Sequence, residues 1–393
     1  MTTNTNKVYD VAVIGAGVIG TSTAYHLVKA GLKVALIEKT NVARGTSSHC
    51  DAAALIVYKL PGADAALGYA SIQRFLELQS ELSYDFELHQ RGSMYVCESD
   101  QEMEIATNYA KSMVADGYKI DSLDPKQLKE MEPFLADDLK GGIFSPVCCG
   151  LNPFKLCFAF VDQVNGHGLD LYAHTQVTGI KLGDKHEIQG VETDKGFIAC
   201  SKVVNACGVW SPEIGKMVGV EIPVEPRKGV ILISAPGFPI CHQKIQEFGY
   251  MVSKFDDINC ERDPDVEKYN VAFTIEPSEG HNVLIGSSRN FAGFDLSTEI
   301  EIVHTIAKRA CRFFPILKEV NCIRSYAGVR PFIPEHLPLI TEVERVPGFY
   351  IAAGHEGDGI SMAPMTGRLM AELITGQKPH MDLTPFSYKR YDK

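Results

Sequence analysis

Three glycines and an acid carry the first chemical signal in this 393-residue chain. Gly15-Ala16-Gly17-Val18-Ile19-Gly20 follows an apolar run at 11–14, and Glu38, with Lys39 beside it, closes a second apolar run about 20 residues past the glycines. Each glycine has a physical reason in a dinucleotide site. Gly15 allows a tight turn, Gly17 lets backbone approach a pyrophosphate, and Gly20 lets a helix pack close to a strand. Val18 and Ile19 would open a helix whose free N–H groups and positive dipole end face the phosphates, while Glu38 would accept from the ribose. The motif serves a nicotinamide or a flavin dinucleotide equally well. A second glycine-rich turn, Gly354-His355-Glu356-Gly357-Asp358-Gly359, is followed by Ile360 and Ser361 at the start of a helical stretch. Its titratable side chains could bind an ammonium group or orient water. Arg330, in Ala327-Gly328-Val329-Arg330-Pro331, offers a planar fork that suits a carboxylate.

The elements around these residues follow from pattern. The buried run at 11–14, a helix at 21–30 closed by Gly31, and a strand at 33–37 make a complete βαβ unit. Helices are expected at 70–83, 102–117, 123–131 (opened by Asp124-Pro125), 153–165, 298–314 and 361–375. Strands are expected within 84–97 around Arg91-Gly92, across 170–182, 188–193 and 196–199 as a meander, at 202–208 ending in Gly208, within 230–250 and 271–286, and at 349–353. The stretch 141–153 reads as loop-rich, and 256–265 as a charged loop. Dinucleotide-type strands at the start, middle and end of the chain predict an α/β fold with a discontinuous Rossmann-like cofactor domain, 1–85, 150–225 and 325–393. Residues 86–149 and 226–324 would form a second, α+β substrate domain on a mostly antiparallel sheet.

Three further segments narrow the choice of dinucleotide. Gly45-Thr46-Ser47-Ser48-His49, the strand end Asn205-Ala206-Cys207-Gly208-Val209-Trp210-Ser211, and the turn 354–360 resemble, in the same order and over nearly the whole chain, the D-amino-acid oxidase-like flavoproteins. That family includes glycine oxidase, sarcosine oxidase and dehydrogenase, D-amino-acid dehydrogenase, and the β subunits of hydrogen cyanide synthase and opine oxidase complexes. The resemblance implies FAD. It places Gly45, Thr46, Ser47 and Ser48 beside the pyrophosphate and ribityl chain, Val177 at the adenine, and Ala206 and Gly208 where the middle strand approaches the cofactor. Gly354, Gly357, Asp358, Gly359, Ile360 and Ser361 then fall in the turn facing the pyrimidine edge of the flavin, where a helix N-terminus would stabilise the anionic reduced form. Gly328 stands where monomeric sarcosine oxidases carry a flavin-linking cysteine, so non-covalent FAD is expected. His49 falls where dimethylglycine and sarcosine dehydrogenases carry a linking histidine. Asp51 is unexpected in a loop that is usually small and apolar in these families.

The same resemblance makes Arg330 the clamp for a substrate carboxylate and Tyr250 a substrate-pocket residue, with His355 and Glu356 beside the flavin face. Lys228 and Lys254 are candidate oxygen-activating positions. The expected reaction is oxidation of a small amino or imino acid such as glycine, sarcosine, D-proline or another D- or N-alkyl amino acid, giving an imine that hydrolyses. Electrons would pass to oxygen or, in a multi-subunit enzyme, to partner chains; self-association is left open. A nicotinamide-dependent dehydrogenase and a non-catalytic FAD scaffold are the rival readings.

Composition sets the outer limits. With 49 Asp+Glu against 38 Lys+Arg, a formal net charge of -11 disfavours nucleic acid and anionic lipid. The 11 cysteines show neither CxxC pairs nor zinc spacing, so no metal site is expected and a reducing cytoplasm is. The polar opening MTTNTNK does not read as a signal peptide, and no apolar run is long enough to span a bilayer.

Overall fold

In the computed structural model, which describes residues 7–254 and 263–392, the apolar run Val11–Ile14 is a fully buried strand at the middle of a six-stranded sheet. On one side it pairs in parallel with Val34–Ile37, which pairs with Leu169–Tyr172. On the other it pairs in parallel with Val203–Asn205, followed by Phe349–Ala353 and the antiparallel edge strand Leu339–Glu342. These strands read as continuous apolar runs because both faces are covered, one by helices and the other by the residues of a smaller sheet such as Val177, Ile180, Val191 and Ile198. Strands from four distant parts of the sequence therefore meet in one sheet. The chain leaves Val11–Ile14 toward one neighbour while its other neighbour comes from far downstream, and such a reversal of strand order opens a crevice at the strands' C-terminal ends.

The helix Val18–Lys29 makes the crossover and packs beside Gly359–Thr375. Their contact is close because Gly367 has no side chain: a Cβ there would stand 2.4 Å from Ser22 Oγ. The Ser22 hydroxyl donates to Ala363 C=O at 2.8 Å across the same interface. A smaller sheet of four strands, Val8–Tyr9, Gly196–Cys200, Ile188–Thr193 and Val177–Leu182, carries the expected meander.

The second large sheet has eight strands among the described residues, in the order Cys322–Phe332, Glu225–Ser234, Val283–Ser288, Val271–Pro277, Lys244–Glu247, Ser93–Cys97, Gly141–Ser145 and Asp121–Leu123. All its pairs are antiparallel except Lys244–Glu247 with Ser93–Cys97. The strand Cys322–Phe332 straddles the expected boundary at 325 and pairs in this sheet. The amphipathic helix Ile300–Phe313 covers one face, stacking Phe313 on Phe273 at 4.9 Å.

Several elements differ from expectation, for physical reasons. The stretch read as loop-rich contains the strands Gly141–Ser145 and Cys149–Gly150. Its glycines serve close approach rather than looseness, since a Cβ on Gly142 would stand 2.2 Å from Tyr95 C=O. The helix expected at 70–83 is Ala63–Glu81, entered at Gly62 with φ +96°. Of the strands expected in 84–97 only Ser93–Cys97 forms, the rest making one isolated bridge through His89. The 170–182 strand is two strands, Leu169–Tyr172 and Val177–Leu182. Within 230–250, pairing stops at Ser234 and resumes at Lys244–Glu247, and Tyr250 lies in the short helix Gly249–Lys254 instead of a strand. Most of the charged loop at 256–265 lies outside the described residues. No helix among the described residues is long and apolar enough to cross a membrane.

Candidate active site

The crevice at the ends of the parallel strands opens into a cavity of 460 Å³ that runs from the first sheet to the second. At one end it is lined by Gly15, Gly17, Val18, Ile19, Glu38, Lys39, Val177, Ala206 and Gly208. Gly15 holds φ +99°, a left-handed conformation that glycine adopts without strain, and a Cβ there would meet Ala206 C=O at 2.7 Å. Gly20 lies behind the wall, and its missing Cβ makes room for Gly15 C=O at 1.8 Å. Gly17 is different. A Cβ on it would meet only Ser47 Oγ, at 3.3 Å, so the protein's own packing nearly tolerates a side chain. The space that a longer side chain would enter there is the cavity itself. The Glu38 carboxylate accepts from Ala16 N–H at 2.9 Å and from Thr40 N–H at 2.7 Å, which fixes it at the rim. Ser47 Oγ accepts from Val18 N–H at 3.0 Å, tying the loop 45–49 to the helix start.

At the other end the wall comes from the second sheet. Arg227 and Arg330 are directly opposed across Glu225–Ser234 and Cys322–Phe332, with Gly229 opposed to Gly328 two pairs along. The Arg330 guanidinium lies over Gly229, where a Cβ would come within 2.3 Å of Nη1. It donates to Ser288 C=O at 3.0 Å and Ser287 Oγ at 3.2 Å, both neutral acceptors. Arg227 is 3.5 Å from the Glu356 carboxylate and stacks between Phe291 and Phe332. Position 328 must be glycine because the loop at His49 packs on it, His49 C=O lying 2.3 Å from where a Cβ would stand. His49 Nδ1 is 2.8 Å from Ser48 Oγ and 3.1 Å from Gly45 C=O. From the first sheet's side, Gly354, His355, Glu356, Gly357, Gly359 and Ile360 complete this end, and no side chain caps the free N–H groups of the helix Gly359–Thr375.

Thus Arg330, His355, Glu356, Gly45, Thr46, Ser47 and His49 share one cavity with the glycine motif. Other expected residues face elsewhere. Ser48 lines an adjoining cavity. Asp358 turns its carboxylate to Lys59 Nζ at 2.7 Å, and Ser361 Oγ accepts from Leu55 N–H at 3.2 Å. Tyr250 sits outside the cavity wall, its ring under the Arg289 guanidinium at 3.8 Å. His355 lines the cavity, but its Nε2 meets Thr366 Oγ1 at 3.0 Å, and burial pushes the imidazole down to about 3, leaving it neutral. Lys228 points into the opposite face of its strand, ion-paired with Glu299 at 2.7 Å and Asp295 at 3.0 Å. The Lys254 side chain lies outside the described residues.

Two buried lysines near the cavity escaped the sequence reading. Lys59 is held by Asp358 and Asp64 behind the glycine-rich turn, and burial pushes its ammonium down to about 8. Lys244 is held by Asp51 and, at 3.2 Å, by Glu276. Asp51, unaccounted for in the sequence, is thereby explained as half of an ion pair. The one signal available was a charge inside an otherwise apolar stretch, as in Val57-Tyr58-Lys59-Leu60.

The comparisons with known proteins agree with this geometry. The family model described as FAD dependent oxidoreductase matches residues 10–373. The hydrogen cyanide synthase subunit HcnC of Pseudomonas protegens is 28% identical, over 98% of this chain and 97% of its own length. Glycine oxidase of Geobacillus kaustophilus is 27% identical over 98% and 97%. Its crystal structure superposes with a TM-score of 0.85 at 26% identity, covering 96% of this chain and 98% of that one. The crystal structure of L-proline dehydrogenase from P. horikoshii superposes with a TM-score of 0.88 at 25% identity, covering 98% of both chains. With a cavity at the strand-order reversal, a glycine motif whose missing side chain at Gly17 opens onto it, and a match along nearly its whole length, this chain belongs to the D-amino-acid oxidase-like family of FAD-dependent oxidoreductases.

Proposed function

We propose that this enzyme oxidises a small amino or imino acid at its Cα–H bond, with glycine, sarcosine, D-proline and other D- or N-alkyl amino acids as the substrate class. FAD, when bound, supplies the hydride acceptor, and the imine product takes up water to give a 2-oxo acid plus ammonia or an amine, or, from a cyclic imine, a single ring-opened amino 2-oxo acid. The observation that carries the reading is Arg330. Its guanidinium lies on the same cavity as the glycine motif, held in place by neutral acceptors, so its charge is available to a carboxylate.

The chain's own residues divide the remaining work. Gly15, Gly17, Ser47, Glu38 and Val177 would hold the adenine dinucleotide, and the uncapped start of Gly359–Thr375 would face the flavin's developing negative charge. Arg330 would orient the substrate, and the packed second sheet would exclude water. The close contact of Gly328 with His49 leaves no room for a linking cysteine, which supports non-covalent FAD. The division into a discontinuous cofactor domain and a substrate domain, and a cytoplasmic setting, belong to the same reading.

The relatives are named as an oxidase, a dehydrogenase and a synthase subunit, so oxygen and electron-accepting partner subunits are both acceptors to assay. The test is turnover of the purified holoenzyme on a panel of these amino acids with an electron-accepting dye, reading dye reduction and carbonyl product together. Turnover of carboxylate-free amines alone would overturn the proposal.

A further inference from the structure

Asp51 lines the same cavity wall as Arg330. Its loop is pinned on both sides: Cys50 C=O accepts from the Tyr326 hydroxyl at 3.2 Å, and Ala52 N–H donates to Glu276 at 3.2 Å. The carboxylate is ion-paired with Lys244, which also holds Glu276. Lys244 and Glu276 are closed off, with side chains 6% and 7% accessible, whereas 32% of the Asp51 side chain is accessible. Asp51 is thus the member of the cluster that faces open space.

Charge counting says what that space would take. Lys244 and Glu276 are shut away behind Asp51, where burial raises the Glu276 carboxyl, and Glu356 on the cavity wall is answered by Arg227, so what this end of the cavity presents is the Asp51 carboxylate and the Arg330 guanidinium. Burial alone would raise the Asp51 carboxyl, but Lys244 and then Arg330 outweigh it and hold the group below its usual range, hence ionised. A ligand with one carboxylate and one cationic nitrogen meets both exposed groups without adding net charge to a low-dielectric site. We propose that Asp51 binds the substrate's cationic nitrogen while Arg330 holds its carboxylate, so that the pair reads an amino-acid zwitterion. Lys244 and Glu276 are positioning residues for Asp51. The inference rests on the amino-acid reading above and adds to it the residue that distinguishes an amino acid from a simple carboxylate.

The test uses isosteric pairs: glycine against propionate, and sarcosine against butyrate. Binding is measured by calorimetry on holoenzyme whose flavin has been reduced beforehand, so that the amino acids cannot react. The intact protein should prefer each amino acid over its carbon isostere. Asp51→Asn should lower that preference by at least about tenfold while leaving propionate and butyrate affinity and flavin content near the intact values. Asp51→Glu should keep most of it, and Asp51→Ser gives the same reading should Asp51→Asn not fold. An unchanged preference in the uncharged variants would overturn the role of Asp51 and leave the carboxylate site standing. Should none of the four bind the intact protein, the same comparison between the amino acid that it turns over and that acid's carbon isostere decides the role of Asp51, and turnover of no amino acid would overturn the amino-acid reading itself, and this inference with it.

Discussion

Truncating Arg330 to alanine removes a guanidinium whose two protein contacts are to neutral oxygens, Ser288 C=O at 3.0 Å and Ser287 Oγ at 3.2 Å. Losing those bonds is a cost to the fold, whereas losing the charge-assisted bond to a bound carboxylate is a cost to catalysis, about 1.5 to 3 kcal/mol. At about 1.4 kcal/mol per factor of ten, kcat/KM should fall by about 10-fold to about 140-fold, with flavin content unchanged. Arg330→Lys should recover only part, because an ammonium keeps the charge and loses the two-pronged geometry. Gly229→Ala gives an independent check: its Cβ would stand 2.3 Å from Nη1, so it displaces the guanidinium without removing the charge and should also lower kcat/KM. The assay is steady-state turnover on the best amino acid of the panel, with flavin content of each variant taken from its visible spectrum. Intact efficiency in Arg330→Ala with a full flavin complement would refute the assignment of Arg330 to the substrate carboxylate.

Gly17→Val should yield folded protein with little FAD, because the protein around Gly17 offers only Ser47 Oγ as a close contact while the cavity's occupant lies beyond; a full flavin complement would contradict this. Acid or heat precipitation of the holoenzyme should leave the flavin in the supernatant; colour held in the pellet and lost in His49→Ala would identify a covalent bond instead. Burial, reinforced by Arg74, pushes the His26 imidazole down to about 3, so it is neutral in the folded state. Its contribution to stability is therefore complete above the unfolded value of about 6.5 and is lost as pH falls toward 3. Urea unfolding should show the intact protein losing about 2 kcal/mol more than His26→Gln between about pH 7 and about pH 5; equal losses would contradict a neutral buried imidazole.

The sequence made the cofactor end of the cavity legible because its signals are local. Gly15, Gly17 and Gly20 lie between two apolar runs, and the spacing to Glu38 is set by one crossover helix. Arg330 became legible through the short motif around it. The rest depends on residues distant in sequence. Asp51 and Lys244 are 193 positions apart, and no pattern in either neighbourhood announces the other. Lys228 looked like the lysine to watch, yet strand alternation turns it to the face opposite Gly229 and Ile231, toward Glu299. The glycines at 141 and 142 were misleading for a related reason. Glycine marks both loops and close approach, and only the pairing of Gly141–Ser145 with Ser93–Cys97 shows which applies. The apolar neighbours of Tyr250 predict a strand, where the chain instead starts a short helix at Gly249.

The proposed function stands on one step, hydride transfer from an amino acid to FAD bound in this cavity. Anaerobic mixing of the purified holoenzyme with each member of a panel of glycine, sarcosine, D-amino acids and prolines, read at the oxidised-flavin absorption band, tests it most directly. At least one α-amino or α-imino acid should bleach the band, and deuterium at its Cα should slow the bleaching. A flavin that stays oxidised with every amino acid, or that is bleached equally by amines lacking a carboxylate, would contradict the account.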